Sequence, residues 1–218
     1  MKLDVRYSHH PEDVKHYTTD DLRKHFLIKD VFVPDEVNLV YSHYDRIIAG
    51  GIMPATKTLE LESGKELASA YFLELREMGV INIGGKGYIL IDGAKFEMDY
   101  QDGIYIGRGK KDIKFCSYDP TSPAKFYMNS SPAHKEYPTH HIPLSKANKV
   151  QMGDAKNLNV RTINQYVHPQ VCQSCQLVMG MTILAEGSVW NTMPTHTHAR
   201  RMEVYLYFNL SPNDFVIH

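Results

Sequence analysis

The sequence predicts an all-β fold of two antiparallel, barrel-like halves in tandem, and three observations carry that expectation. Short runs of β-branched and aromatic residues recur from Val31 onward, glycine-bearing turns break them, and a Met-Pro segment of the first half is echoed in the second. A chain of 218 residues can bury one sizeable core or two small ones.

Residues 1 to 40 read as an irregular arm with one short helix, because Thr18-x-x-Asp21 has the form of a capping box and Leu22 and Phe26 follow at helical spacing. Four strands are predicted next, at Val80-Ile81-Asn82-Ile83, Tyr88-Ile89-Leu90-Ile91, Lys95-Phe96-Glu97-Met98 and Ile104-Tyr105-Ile106. Gly84-Gly85, Asp92-Gly93 and Asp102-Gly103 separate them, and Asp-Gly between apolar residues is a hairpin signal. These elements define a first unit over residues 41 to 128. Pro120, Pro123, Pro132, Pro138 and Pro143 mark a long connection, which separates the units over 129 to 160. The second unit, 161 to 218, carries apolar runs at Leu177-Val178-Met179, Ile183-Leu184 and Val204-Tyr205-Leu206-Tyr207-Phe208.

Gly51-Ile52-Met53-Pro54-Ala55-Thr56-Lys57-Thr58 parallels Thr192-Met193-Pro194-Thr195-His196-Thr197-His198. Aligned on Met-Pro, Thr56 and Thr58 fall where His196 and His198 stand, so a duplicated barrel is expected in which the first copy holds no metal.

The 24 basic and 25 acidic residues nearly cancel, which argues against nucleic acid as a partner. No apolar stretch approaches the length of a membrane span, and the first residues do not open a signal peptide, so a cytoplasmic location is expected. Cys116, Cys172 and Cys175 are too few and too odd in number for a disulfide framework. Cys172-x-x-Cys175 lacks the second pair of a zinc site and the βαβ setting of a redox motif, and reads as ordinary thiols.

His196-x-His198 is the sharpest chemical feature. Residues two apart on an extended strand share a face, so both imidazoles can converge on one ion. Glu203 has the wrong parity for an unbroken strand, and a bend at Ala199-Arg200-Arg201 would return its carboxylate to the same side. Two imidazoles and a carboxylate suit zinc, iron, manganese or nickel, with positions left for water or substrate.

The segment from His196 to Glu203 resembles the HxHxxxxE motif of cupins, although Leu210 stands where a glycine is common. The surrounding words are more specific. Trp190-Asn191-Thr192-Met193-Pro194, Arg200-Arg201-Met202-Glu203-Val204-Tyr205, Gly50-Gly51-Ile52-Met53-Pro54, Gly79-Val80-Ile81-Asn82-Ile83-Gly84-Gly85, Pro123-Ala124-Lys125-Phe126-Tyr127 and Arg161-Thr162-Ile163-Asn164 resemble the 5-keto-4-deoxyuronate isomerase family, in order along nearly the whole chain.

That resemblance implies two cupin-type β-barrels, one zinc ion per subunit, a homohexamer, and aldose–ketose isomerisation of a small uronate in the breakdown of pectin and glycosaminoglycans. Carried over residue by residue, the zinc ligands are His196, His198 and Glu203. The family's fourth ligand, a histidine, has no counterpart, since the chain stops at His218 in what reads as mid-strand; the second barrel is expected to be truncated there, with that ligand beyond it. A general base is needed, and no residue is singled out for it. Arg161 and Arg201 are candidates for the substrate carboxylate, and Tyr205 and Tyr207, which share the parity of Glu203, are candidates for the cavity wall. A non-catalytic sugar-binding cupin and a cupin dioxygenase are the competing readings.

Overall fold

In the computed structural model the described residues are 1–191, 194, 196–199 and 202–218. The chain opens with strand β1 (Lys2–Arg6) and two short helices, α1 (Pro11–Val14) and α2 (Thr19–Phe26). The capping box of α2 forms as the sequence predicts, with the Thr18 hydroxyl accepting from the Asp21 amide and the Asp21 side chain accepting from the Thr18 amide. There follow β2 (Glu36–Ser42), β3 (Ile48–Met53), β4 (Leu59–Glu60), β5 (Arg76–Asn82), β6 (Gly87–Ile91), β7 (Ala94–Met98), β8 (Gly103–Ile106), β9 (Ile113–Ser117), β10 (Phe126–Pro132), β11 (His140–Ile142), β12 (Asn148–Met152), β13 (Arg161–Val167) and β14 (Met179–Leu184).

Three sheets result: a seven-stranded sheet ordered β1-β2-β3-β10-β5-β8-β11, a four-stranded sheet β4-β9-β6-β7, and a three-stranded sheet β12-β13-β14. Every pairing is antiparallel except β1 with β2. The protein is mostly β, and none of the sheets closes on itself among the described residues.

Strands β5 and β8 of the seven-stranded sheet are buried on both faces, and the period-two alternation of the strands sorts the side chains. Met78 and Val80 of β5, Ile104 and Ile106 of β8, and Phe126 and Met128 of β10 join Ile89, Ile91 and Phe115 of the four-stranded sheet in the main core. Ile81 of β5 and Tyr105 of β8 point the other way, into a second core with Tyr166, Val167, Met179 and Met181 of the three-stranded sheet. Close approach fixes that second contact: a Cβ on Gly103 would stand 2.4 Å from the Tyr166 ring, and one on Gly79 would stand 2.8 Å from Met179 Sδ.

The four strands of the first unit lie where the sequence predicts, as β5 to β8, and Asp92-Gly93 closes the β6–β7 hairpin with φ of 48° and 84°. Asp102-Gly103 does not close a hairpin. It carries the chain from the four-stranded to the seven-stranded sheet, and the Asp102 carboxylate accepts from the amides of Asp99 and Leu144 at the crossing.

Strands of one sheet lie on either side of each of the expected divisions at 40, 128 and 160. The arm contributes β1, the first unit's sheet runs on through β11, and the proline-marked connection contains β11 and β12. Prolines did not exclude strands because they sit at strand ends: Pro132 is the last residue of β10, beyond its pairing with β3, and Pro143 follows β11. Among the described residues no helix is long and apolar enough to cross a membrane.

Candidate metal centre and cleft

Residues 202–210 form no ladder pairing among the described residues, yet their burial alternates residue by residue. Met202, Val204, Leu206 and Phe208 are half-buried, while Glu203, Tyr205 and Tyr207 face outward. The Tyr205 and Tyr207 rings stack with centroids 6.1 Å apart and planes 11° off parallel, as i and i+2 on an extended segment must if they share a side. The parity read from the sequence therefore holds without the strand pairing that it presupposed. The segment is tied to the first half, where the Met202 amide donates to Asp45 Oδ2 at 3.2 Å in the turn between β2 and β3.

His196 and His198 are exposed and lie in a loop rather than on the predicted strand inside a barrel. Pro194 just before them can donate no ladder hydrogen bond. Their rings lie 5.0 Å apart, edge to face. The chain turns at Ala199, within the predicted bend, and Glu203 Oε1 comes back to 3.6 Å from His198 Nε2. Arg200 and Arg201, with the carboxylate role expected of Arg201, lie outside the described residues.

These three residues fit a zinc ion in chemistry and partly in geometry. Two donors bonded at about 2.1 Å in tetrahedral geometry stand about 3.4 Å apart, close to the His198–Glu203 separation. His196 Nδ1 lies 3.1 Å from the Pro194 carbonyl, the outer contact that commonly orients a ligating imidazole and turns Nε2 toward the metal. The third donor is not drawn in: among the described residues no three His, Cys, Asp or Glu side chains are gathered tightly enough to hold an ion.

Beside this group opens a cleft of about 1340 Å³. Its floor is the outer face of the seven-stranded sheet, at Val40, Ala49, Lys125 and Tyr127; one wall is the arm around α2 and the other is the segment from Met202 to Leu210, Glu203, Tyr205 and Tyr207 included. Arg6, Arg23, Lys29 and Lys125 line it against Asp30 and Glu203, so its charged lining is basic on balance. Burial pushes the Tyr127 phenol up to about 12, so it remains a neutral hydroxyl. Tyr207 Oη lies 2.8 Å from His218 Nδ1, and burial raises the Tyr207 phenol as well.

Arg161 does not line the cleft. It sits at the start of β13, where Nη1 donates to the Asn159 carbonyl at 3.0 Å and Nε is buried without a partner. Lys125 and Tyr127 were missed as cleft residues, although they lie in one of the segments that carried the resemblance; they stand two apart where the chain enters β10, and both line the cleft. The first-half threonines are occupied locally: Thr56 donates to Asp35 Oδ2 at 2.6 Å, and Thr58 Oγ1 lies 3.3 Å from Cys116 Sγ. The cysteines are free thiols, and burial raises the Cys172 thiol.

The sequence profile of the KduI/IolB family matches residues 26–218. A 4-deoxy-L-threo-5-hexosulose-uronate ketol-isomerase of Lachnoclostridium phytofermentans is 56% identical over 216 residues, 99% of this chain and 78% of the relative. A second ketol-isomerase of that name from Enterococcus faecalis is 52% identical over the same shares, and one from Escherichia coli strain SE11 is 52% identical over 218 residues, 99% of this chain and 78% of the relative. Among solved structures, an IolB-like protein from Salmonella typhimurium LT2 aligns with a TM-score of 0.42 at 13% identity, over 55% of this chain and 43% of that one, a likeness that bears on neither the site nor the reaction. On the profile match and these identities, the chain belongs to the KduI/IolB family.

Proposed function

We propose that this protein is a ketol-isomerase of 4-deoxy-L-threo-5-hexosulose uronate, converting this 5-dehydro-4-deoxy-D-glucuronate into 3-deoxy-D-glycero-2,5-hexodiulosonate. The observation that carries the reading is the identity of half or more, across almost the whole chain, to enzymes named for that reaction. The reaction shifts a carbonyl from C1 to C2, so a proton leaves C2 and one arrives at C1, or a hydride passes between them. His196, His198 and Glu203 are the residues that would hold a zinc ion, one per subunit. A divalent ion there supplies Lewis-acid polarisation of the substrate's C1 carbonyl and C2 hydroxyl.

The chain itself supplies recognition. The substrate carries a carboxylate, and the cleft is basic on balance. Lys125, on the cleft floor, takes the part in carboxylate recognition that the sequence suggested for Arg161. Tyr207 on the wall and the neutral Tyr127 hydroxyl on the floor flank the space. The same reading takes the halves as tandem cupin-type units, the enzyme as a cytoplasmic homohexamer, and its setting as pectin and uronate degradation; the family resemblance supports each.

The experiment is to incubate the zinc-loaded protein with the 5-keto-4-deoxyuronate and follow formation of the 2,5-diketo product by NMR. Isomerisation without oxygen uptake is the expected result. Oxygen consumption with ring or chain cleavage would mark a dioxygenase, and tight sugar binding without turnover would mark a binding protein.

A further inference from the structure

We propose that Tyr205 is a positioning residue for the metal centre, its phenol clamping one oxygen of Glu203 so that the other is presented to the imidazole pair. The proposal rests on the reading of Glu203 as a ligand. Tyr205 Oη donates to Glu203 Oε2 at 2.6 Å, a short charge-assisted contact, while Oε1 of the same carboxylate stands 3.6 Å from His198 Nε2. The two oxygens therefore have different neighbours: one is engaged by the phenol and one is turned toward the ring that would share the ion.

Three features favour orientation over packing as the purpose of this contact. Tyr205 is 48% exposed, so burial of its ring is not what holds it in place. Glu203 and Tyr205 stand at i and i+2 on an extended segment, where side chains on one side run parallel and a phenol can reach back to a carboxylate. The ring lies against both Tyr207 and, with centroids 5.1 Å apart, His218, and the Tyr207 hydroxyl meets His218 Nδ1 at 2.8 Å and not Glu203. Tyr207 thus supplies a built-in comparison: the same residue type, in the same stack, with its hydroxyl turned elsewhere.

An outer hydrogen bond to a ligating carboxylate fixes in advance which oxygen faces the ion. Loss of such an outer partner typically weakens metal binding by roughly 10- to 100-fold. The test is zinc affinity, measured by competition with a chromophoric chelator on the metal-free protein, for the parent, Tyr205→Phe, Tyr207→Phe and Glu203→Gln. Thermal unfolding of each metal-free variant confirms that it folds. The expected result is a loss of roughly 10- to 100-fold for Tyr205→Phe, a larger loss for Glu203→Gln, and parent-like affinity for Tyr207→Phe. With cobalt(II) in place of zinc, the visible spectrum of Tyr205→Phe should shift while that of Tyr207→Phe stays unchanged. Parent-like zinc affinity in Tyr205→Phe overturns the proposal, as does an equal loss in Tyr207→Phe, which would assign the effect to the stack. Parent-like affinity in Glu203→Gln overturns the ligand reading itself, a different failure from the first.

Discussion

The carboxylate of Glu77 on β5 accepts the backbone N–H of Leu177, one hundred residues later, at 2.7 Å. Its two oxygens also accept the amides of Cys175 and Gln176 and the hydroxyl of Tyr105, each at 2.7 Å, and the side chain is fully buried. One acid thus fastens the loop of the Cys172-x-x-Cys175 motif to the seven-stranded sheet. Burial of Tyr105, and after it the tie to Glu77, raises that phenol and keeps it a donor.

Replacing Glu77 with Gln substitutes a donor group for an acceptor and leaves buried amides without partners. The expected cost is about 3 kcal/mol of unfolding free energy, read from urea denaturation. An unchanged midpoint would show that the loop does not depend on this carboxylate.

Gly103 should tolerate no side chain. A methyl group there meets the ring of Tyr166, which is itself buried and bonded through its hydroxyl to the Gln101 carbonyl at 2.6 Å. Gly103→Ala is expected to lower stability by about 1–3 kcal/mol through overpacking, while Tyr166→Phe costs about 1 kcal/mol from the lost bond. Calorimetry that ranked the two in reverse order would contradict the packing argument.

The Asp35 loop should be acid-sensitive at its own, low pH. The Thr56 hydroxyl, the Thr56 amide and the amides of Ala55 and Lys57 hold Asp35 from the ordinary value near 3.8 down to about 2. Because folding favours the ionised form, this contribution is complete above about pH 4 and is lost as pH falls through about 2. Carboxyl-detected NMR should show Asp35 titrating near that value in the parent and higher in Thr56→Val. Identical midpoints would remove Thr56 as the principal cause.

Exchanging His196 or His198 for Ala, or Glu203 for Gln, should lower zinc content after dialysis from about one ion per chain to a small fraction of it. Elemental analysis measures this directly. A variant that retains its ion would strike that residue from the ligand set.

Strand positions were legible because β5 to β8 are short apolar runs between turn residues, and a hairpin such as Asp92-Gly93 is a local event. The crossing at Asp102-Gly103 was not legible, because the dipeptide is the same whether the next strand pairs with the last one or joins another sheet. The parity of Glu203, Tyr205 and Tyr207 was readable from spacing alone, and so was the return of Glu203 toward His198 through a turn at Ala199. The position of Arg161 outside the cleft lining was not legible for a different reason. Its residue type suits a carboxylate, but β13 belongs to the three-stranded sheet, and sheet membership is set by pairings between distant segments. Lys125 went unnoticed for the converse reason, since nothing near it in sequence marks a cleft.

The chain entering β10 alternates between two chambers: Phe126 and Met128 fill the main core, while Lys125, just before the strand, and Tyr127 floor the cleft. Neighbouring codons therefore answer to separate selective pressures. Variation at Lys125 can change the cleft lining without repacking the main core, Tyr127 answers to both the cleft and the second core, and drift at Phe126 or Met128 is judged by folding alone. A combinatorial library confined to Lys125 should accordingly contain many well-folded members, whereas one spread over residues 125 to 128 should consist mostly of chains that do not fold.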